Sequence, residues 1–390
     1  MKKKIAILGS TGSIGKSLLK ILSKQNKNIE IKLLSANKNY RLLLKQAKKF
    51  NVRNIIVTDK KYYELALLKK DKQIKIHNNF EELNKIFSSK IDYVMSSIVG
   101  IQGMIPTIEI IKYTKNITIA NKEAIICAWS LIKKELKNHK TNFIPVDSEH
   151  FSVWHALNKS FKTDSVKKIF LTASGGPLLN TPKNKLKKIS ISNVLKHPNW
   201  RMGKKISVDS STMMNKVFEI IEAKKIFNID YNKLDILIHP NSYIHAIVQF
   251  QNNMISIIAH HTTMDIPIFN SFYKNNELNL NKNLYNLDLK KLNNASFQKV
   301  DTDKFPLVNI LNDIPKKESL YETVLVAAND ELVNYYLKKK IGYFDITINL
   351  MKIIKLSSIK KMKKKYPKNL NDILKVNNYT RSKIKMMLGI

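Results

Sequence analysis

Asp147 and Glu149 stand two residues apart in the segment Pro145-Val146-Asp147-Ser148-Glu149-His150. In extended chain, side chains two apart point to the same face. Two carboxylates held that way repel each other unless a cation lies between them. Glu219 offers a third carboxylate, and three oxygen ligands with open positions suit Mg²⁺ or Mn²⁺ better than a softer metal. The competing interpretation of the pair is a strand end with exposed acids.

Glu219 belongs to a second concentration of chemistry-bearing residues, HPNWRMGKKISVDSSTMMNKVFEIIE over 197–222. Pro198, Asn199 and Gly203 make its start a loop that carries Trp200 and Met202. Lys205–Val208 reads as a short β-like run, and Asp209-Ser210-Ser211-Thr212 as the N-cap cluster of a helix. On that helix Thr212, Asn215, Lys216 and Glu219 recur at spacings of three and four and so share a face, with Met213, Val217, Ile220 and Ile221 on the core side. A helix start rich in serine hydroxyls and followed by a lysine suits a phosphate, because free amides and the dipole both favour an anion. Ser174, followed by Gly175 and Gly176, could offer a hydroxyl and bare amides to the same anion. The alternatives are a solvated polar helix face and an ordinary glycine turn.

These groups need a scaffold. Residues 4–8 are a continuous apolar run, followed by Gly9-Ser10-Thr11-Gly12-Ser13-Ile14-Gly15 and then by a helical pattern at Leu18, Leu19, Ile21 and Leu22. Strand, glycine turn and helix in this order form a dinucleotide-binding fingerprint. A second strand over 29–35 ends in Ala36-Asn37-Lys38-Asn39 without the acid that would bind a ribose hydroxyl, which favours NADPH over NADH. Alternating strands (54–58, 73–76, 91–96, 116–119, 142–146) and helices continue the rhythm of a doubly wound, mostly parallel sheet. Asn121-Lys122-Glu123 then falls at a C-terminal strand edge, where ligands bind in such sheets. Further strands are expected at 165–172 and 234–238, with a hairpin of 245–250 and 254–259 around Gln251-Asn252-Asn253. Helices are expected at 307–312, 318–337, 344–355 and 368–386. The fold class is therefore α/β: an N-terminal Rossmann-type doubly wound parallel sheet (1–146), a central α+β catalytic domain (147–272), a linker (273–300) and a small C-terminal helical domain (301–390).

The chain has 390 residues, 44% of them hydrophobic, and a formal net charge of +38. Its lysines are spread along the whole length among abundant Asn and Ile, with no localised stripe and no nucleic-acid-binding motif, so the charge reads as compositional bias. A basic nucleic-acid-binding protein remains the non-enzyme alternative. The single cysteine, Cys127, allows no internal disulfide and fits a reducing compartment. No run is long enough to span a bilayer, and a cytoplasmic protein with no membrane partner is expected.

GSTGSIG, NKEA, PVDSEH, TASGGP and HPNWRMGKKISVDSSTMMNKVFEIIEA, in this order and spacing, closely resemble the 1-deoxy-D-xylulose 5-phosphate reductoisomerases. The resemblance covers nearly the whole chain and implies NADPH- and divalent-metal-dependent rearrangement and reduction of 1-deoxy-D-xylulose 5-phosphate to 2-C-methyl-D-erythritol 4-phosphate, in the non-mevalonate route to isoprenoid precursors. It implies that Asp147, Glu149 and Glu219 bind Mg²⁺ or Mn²⁺, and that Ser174, Ser210, Asn215 and Lys216 hold the substrate phosphate. Ser148, Lys122 and His197 would contact the rest of the sugar, with Lys122 and His197 counted as catalytic beside the metal ligands. Thr11, Gly12, Ser13, Ile14, Asn37, Lys38, Asn39, Asn121, Glu123 and Gly203 would line the cofactor. Trp200 and Met202 would belong to a lid over the substrate, and the assembly would be a homodimer. The sequence departs from the family at Asp265, where an Arg is usual, at His260-His261 before it, and at the bulky Phe151 and Trp154. Another NADPH-dependent dehydrogenase is the alternative enzyme; that class does not need the carboxylate trio.

Overall fold

A computed structural model of the chain describes residues 2–24, 28–200, 202–273 and 285–390. The backbone groups into two compact units: Met1–Ala124, Leu131–Asp147 and Met264–Asn281 form the first, and Ile125–Ser130, Ser148–Thr263 and Lys282–Ile390 the second. This grouping differs from the four-part division expected from sequence. The helical C-terminal stretch clusters with Ser148–Thr263, and residues 264–273 join the first unit. Residues 274–284 of the expected linker lie outside the described residues.

The first unit is built on seven parallel strands: β1 (Lys3–Leu8), β2 (Ile29–Ala36), β3 (Asn54–Val57), β4 (Lys75–His77), β5 (Tyr93–Ser96), β6 (Asn116–Ile119) and β7 (Asn142–Pro145). Their order is β4-β3-β2-β1-β5-β6-β7, so the winding reverses between β1 and β5. That reversal opens a crevice at the strands' C-terminal ends. Ile5, Ala6, Ile7 and Leu8 are completely buried, as a run covered on both faces must be. The loop after β1 requires glycine at two places. Gly9 has φ +81°, and a Cβ there would lie 2.7 Å from the Ser97 carbonyl oxygen; a Cβ on Gly15 would lie 2.5 Å from Ser10 Cα.

The helix Asp265–Phe272 explains why its segment packs with the first unit. Ile268, Phe269 and Phe272 join that unit's core. Tyr93 and Ser271 bond through their hydroxyls at 3.0 Å, and the Lys3 ammonium sits 3.7 Å from the centre of the Phe272 ring. Asp265 lies in the first turn of this helix, where the dipole favours an acid, and 3.8 Å from Lys20.

The second unit has a mixed sheet of β8 (Val166–Ala173), β9 (Leu234–Ile238), β10 (Ile244–Phe250), β11 (Ile255–Ala259) and β12 (Gln298–Lys299), in the order β11-β10-β8-β9-β12. The expected β10–β11 hairpin is present, its turn closed by Asn253 at φ +65°. The helices Leu320–Leu337, Tyr343–Lys355 and Leu370–Leu388 match the expected C-terminal set, the first held by a Ser319–Glu322 capping box. Phe151 and Trp154 are core residues, buried with ring centres 6.0 Å apart. Among the described residues no helix is long and apolar enough to cross a membrane.

Two local expectations fail. Lys205–Val208 is not a strand; it lies in the helix Lys204–Ser211, which Asp209, Ser210 and Ser211 finish rather than begin. The next helix, Met214–Phe227, starts from Met213 in the left-handed region (φ +63°) without a side-chain cap. Burial of Ser207, Val208 and Ser211 at helical spacing outweighs the β preference of Ile206 and Val208. Glu149 likewise does not extend a strand beside Asp147. It sits in the first turn of the helix Ser148–Ala156, a position favoured for an acid.

Candidate functional site

In the first unit the glycine loop leads straight into an uncapped helix start. Gly12 N–H bonds the Gly9 carbonyl at 3.0 Å, and Gly12 opens the helix Ser13–Ser23 with no side-chain cap. The amides of that first turn therefore face the loop mouth beside Thr11, Ser13 and Ile14, an arrangement suited to a pyrophosphate. Asn37, Lys38 and Asn39 are exposed at the end of β2. Asn37 donates to Thr58 Oγ1 at 2.9 Å, and Asn39 accepts from the Leu42 amide at 3.3 Å to cap the next helix. Lys38 lies 4.0 Å from Asp59, an acid contributed from beyond β3 rather than from the end of β2.

Asn121 and Glu123 are buried and shape the loop after β5. Asn121 donates to the carbonyls of Ile98 and Gly100 and accepts from Ala124 N–H at the start of the helix Lys122–Asn138. Glu123 accepts from Gly100 N–H at 3.3 Å. Lys122 between them reaches Asp147 at 2.6 Å.

In the second unit, the helix Met214–Phe227 is buried nearly all round, so its polar residues are not a solvated face. Lys216 and Glu219 are 3% and 2% exposed. The Lys216 ammonium pairs with Glu149 at 2.7 Å and with Glu219, and Asn215 donates to Glu219 Oε1 at 2.6 Å. Burial alone would lower the Lys216 pKa; the two carboxylates outweigh it and hold the ammonium above the ordinary lysine value. Ser148 Oγ bonds Glu149, and His150 Nε2 donates to the Glu219 carbonyl at 2.8 Å, fixing the turn that carries Glu219.

Nearby, His197 Nδ1 accepts from the amides of Asn199 and Trp200 at 3.2 and 3.0 Å. That leaves its proton on Nε2, which bonds Ser174 Oγ at 3.0 Å. Burial lowers the His197 pKa to about 4, so the ring is neutral near neutral pH. Ser174 Oγ also accepts from Gly176 N–H at 3.0 Å, so two donors turn its own O–H outward as a donor. Gly176 is packed so closely against the turn at Ser210 that a Cβ would lie 2.5 Å from the Ser210 carbonyl oxygen. Trp200 lies edge-on to His245 at 6.0 Å, and Asn199 donates to Pro240 O and Ser242 Oγ, which ties this loop to the one after β9. Gly203 opens the helix Lys204–Ser211 with nothing near its missing side chain.

Asp147 ends the first unit and Ser148 begins the second, so Asp147 stands two residues from Glu149 in the continuous chain. One oxygen each from Asp147, Glu149 and Glu219 lies within 4.8 Å of the others. An all-carboxylate set of this size fits a hard divalent cation, and Lys122 and Lys216 now balance its charge. A second grouping, Asp147, His150 and Glu222, shares one acid with it. His150 and Glu222 received no role in the sequence analysis; the one signal was their position inside the motifs that carry the trio.

Three sequence profiles match the chain. One described as 1-deoxy-D-xylulose 5-phosphate reductoisomerase covers residues 5–129, one for that enzyme's C-terminal domain covers 143–227, and one described as DXP reductoisomerase C-terminal domain covers 260–383. The 1-deoxy-D-xylulose 5-phosphate reductoisomerase of Pelagibacter ubique (strain HTCC1062) is 53% identical over 388 residues, 99% of each chain. That of Sulfurihydrogenibium sp. (strain YO3AOP1) is 38% identical over 88% of each chain. Among solved structures, the Zymomonas mobilis reductoisomerase in complex with NADPH superposes with a TM-score of 0.86 at 29% identity, covering 100% of this chain and 99% of that one. A DOX-P reductoisomerase with NADPH, fosmidomycin and magnesium gives 0.90 at 28% identity, covering 99% and 98%. Motif, topology and full-length similarity converge, and the chain belongs to the 1-deoxy-D-xylulose 5-phosphate reductoisomerase family.

Proposed function

We propose that this chain converts 1-deoxy-D-xylulose 5-phosphate to 2-C-methyl-D-erythritol 4-phosphate with NADPH and a divalent metal. The observation that carries this is the trio Asp147, Glu149 and Glu219 together with the buried Lys216 beside it. Asp147, Glu149 and Glu219 are assigned to Mg²⁺ or Mn²⁺. When bound, the metal supplies a Lewis acid and NADPH a hydride. Ser174, Ser210, Asn215 and Lys216 are assigned to the substrate phosphate. Ser148, Lys122, His197 and Trp200 are assigned to the rest of the sugar, with Trp200 and Met202 in a lid. Neutral His197 holds Ser174 with its hydroxyl turned outward, and the phosphate contacts supply anchoring energy remote from the bonds that change.

Thr11, Gly12, Ser13, Ile14, Asn37, Lys38, Asn39, Asn121, Glu123 and Gly203 are assigned to NADPH. Gly203 aside, cofactor binding belongs to residues 1–146 and the chemistry to 147–272; 273–300 joins these to the helical 301–390. The protein works as a cytoplasmic homodimer. In support of the dimer, β11 is an edge strand of its sheet, with Ile255 and Ile257 exposed on one face and Met254 exposed just before it, an apolar surface that a second copy of the chain would cover. Ile257→Lys would shift light-scattering mass from dimer to monomer; an unchanged dimer would remove β11 from the interface.

The decisive test is NADPH oxidation with 1-deoxy-D-xylulose 5-phosphate, with Mg²⁺ or Mn²⁺ and then with excess chelator, beside Glu219→Gln. Turnover that needs metal and is lost in the variant is expected. Folded protein that binds NADPH but never turns over would overturn the assignment.

A further inference from the structure

The helix Lys204–Ser211, whose last turn carries Ser210, is tied to the C-terminal helices through buried polar groups. Asn329, fully buried in the helix Leu320–Leu337, donates to Asp209 Oδ1 at 2.7 Å. Asp209 is itself 2% exposed and lies 3.6 Å from the Lys205 ammonium. Lys205 reaches Asp330 at 2.8 Å, and Arg381 of the helix Leu370–Leu388 spans Asp330 at 3.3 Å and Glu331 at 2.7 Å. Tyr343 O–H donates to the Ser211 carbonyl at 2.8 Å. On the opposite side the same turn rests on Gly176, whose N–H bonds Ser174 Oγ. A buried carboxylate must keep its hydrogen-bond partners or move toward water. The position of Asp209, and with it the Ser210 turn and the glycine loop pressed against it, therefore follows the position of Asn329.

We propose that Asn329 and Arg381 are positioning residues for the substrate phosphate, acting through Asp209 to fix the turn of Ser210 and the loop of Ser174. The inference rests on the phosphate assignment above. It gives the helical C-terminal region a part in substrate recognition although none of its residues is assigned a contact with the substrate.

The test compares Asn329→Leu and Arg381→Ala with the wild type in steady-state kinetics, in NADPH binding by fluorescence, and in thermal protection by inorganic phosphate. Arg381 is partly exposed, so its variant folds even if the Asn329 variant does not. KM for the sugar phosphate rises about tenfold, phosphate protection weakens in parallel, and NADPH affinity stays within about twofold. Exchanging the pair, Asp209→Asn with Asn329→Asp, keeps one amide–carboxylate bond and restores KM. A folded Arg381→Ala protein with unchanged KM and phosphate protection overturns the inference, as does an equal loss of NADPH and phosphate binding. A wild type that neither turns over the sugar phosphate nor is protected by phosphate overturns the phosphate assignment itself, and this inference with it.

Discussion

Lys216→Met isolates the electrostatics of the buried site. The side chains of Lys216 and Glu219 are each 3% exposed and that of Glu149 is 13% exposed, so removing the ammonium strands two carboxylates away from water. Methionine keeps the volume of the lysine stem, which limits any cavity effect. Breaking a buried ion pair by deleting one partner costs about 3–5 kcal/mol. In a chain of this size that lowers Tm by about 4–6 °C. A divalent cation bound to Glu149 and Glu219 would replace the missing positive charge. At a concentration of about a hundred times Kd it returns roughly 2.7 kcal/mol. Mg²⁺ should therefore raise the Tm of Lys216→Met more than that of the wild type, and Glu219→Gln added to the variant should abolish the difference. The assay is calorimetry in chelator and in a Mg²⁺ series. A variant as stable as wild type in chelator, or one that gains no more from Mg²⁺, would refute the charge-balance argument.

Three further outcomes follow from the same geometry. Gly176→Ala forces a side chain into φ +70° and against the Ser210 carbonyl, and should cost about 2–3 kcal/mol in chemical denaturation while raising KM for the sugar phosphate. The His197 pKa falls from 6.5 when unfolded to about 4 when folded, so the unfolded chain takes up the proton first; stability should fall as pH drops from about 6.5 to about 4, and His197→Gln should flatten that slope in denaturant midpoints, leaving the part due to His260, which is also lowered to about 4, and to His77, His155 and His239, which burial lowers too. Asp265→Ala should cost about 0.5–1 kcal/mol, through the helix dipole and the exposed Lys20 pair, with KM for the sugar phosphate unchanged; a larger kinetic effect would mean that the departure from Arg touches the reaction.

Local patterns carried much of this protein. The apolar run Ile5–Leu8 reads as a strand covered on both faces, and Gly9 and Gly15 stand where a larger residue would collide with neighbouring backbone. The residue types made Asp147, Glu149, Ser174, Lys216 and Glu219 candidates beside plainer interpretations, and the family resemblance carried by motif order then gave them, with His197, their expected roles. The interior decided the rest. Residues 205–208 have the composition of a strand, yet they form a helix because a buried surface receives Ser207, Val208 and Ser211 at helical spacing. The polar residues of Met214–Phe227 look solvated in sequence, since pattern alone cannot tell water from a buried ion pair; Lys216, Glu149 and Glu219 balance one another only once two helices meet. The bond from Asn329 to Asp209 joins residues 120 positions apart, and no local spacing encodes it. Sequence determined which groups are present and the periodicity of their scaffold; long-range packing decided which of them lose water together, and that loss gives the buried charges their strength.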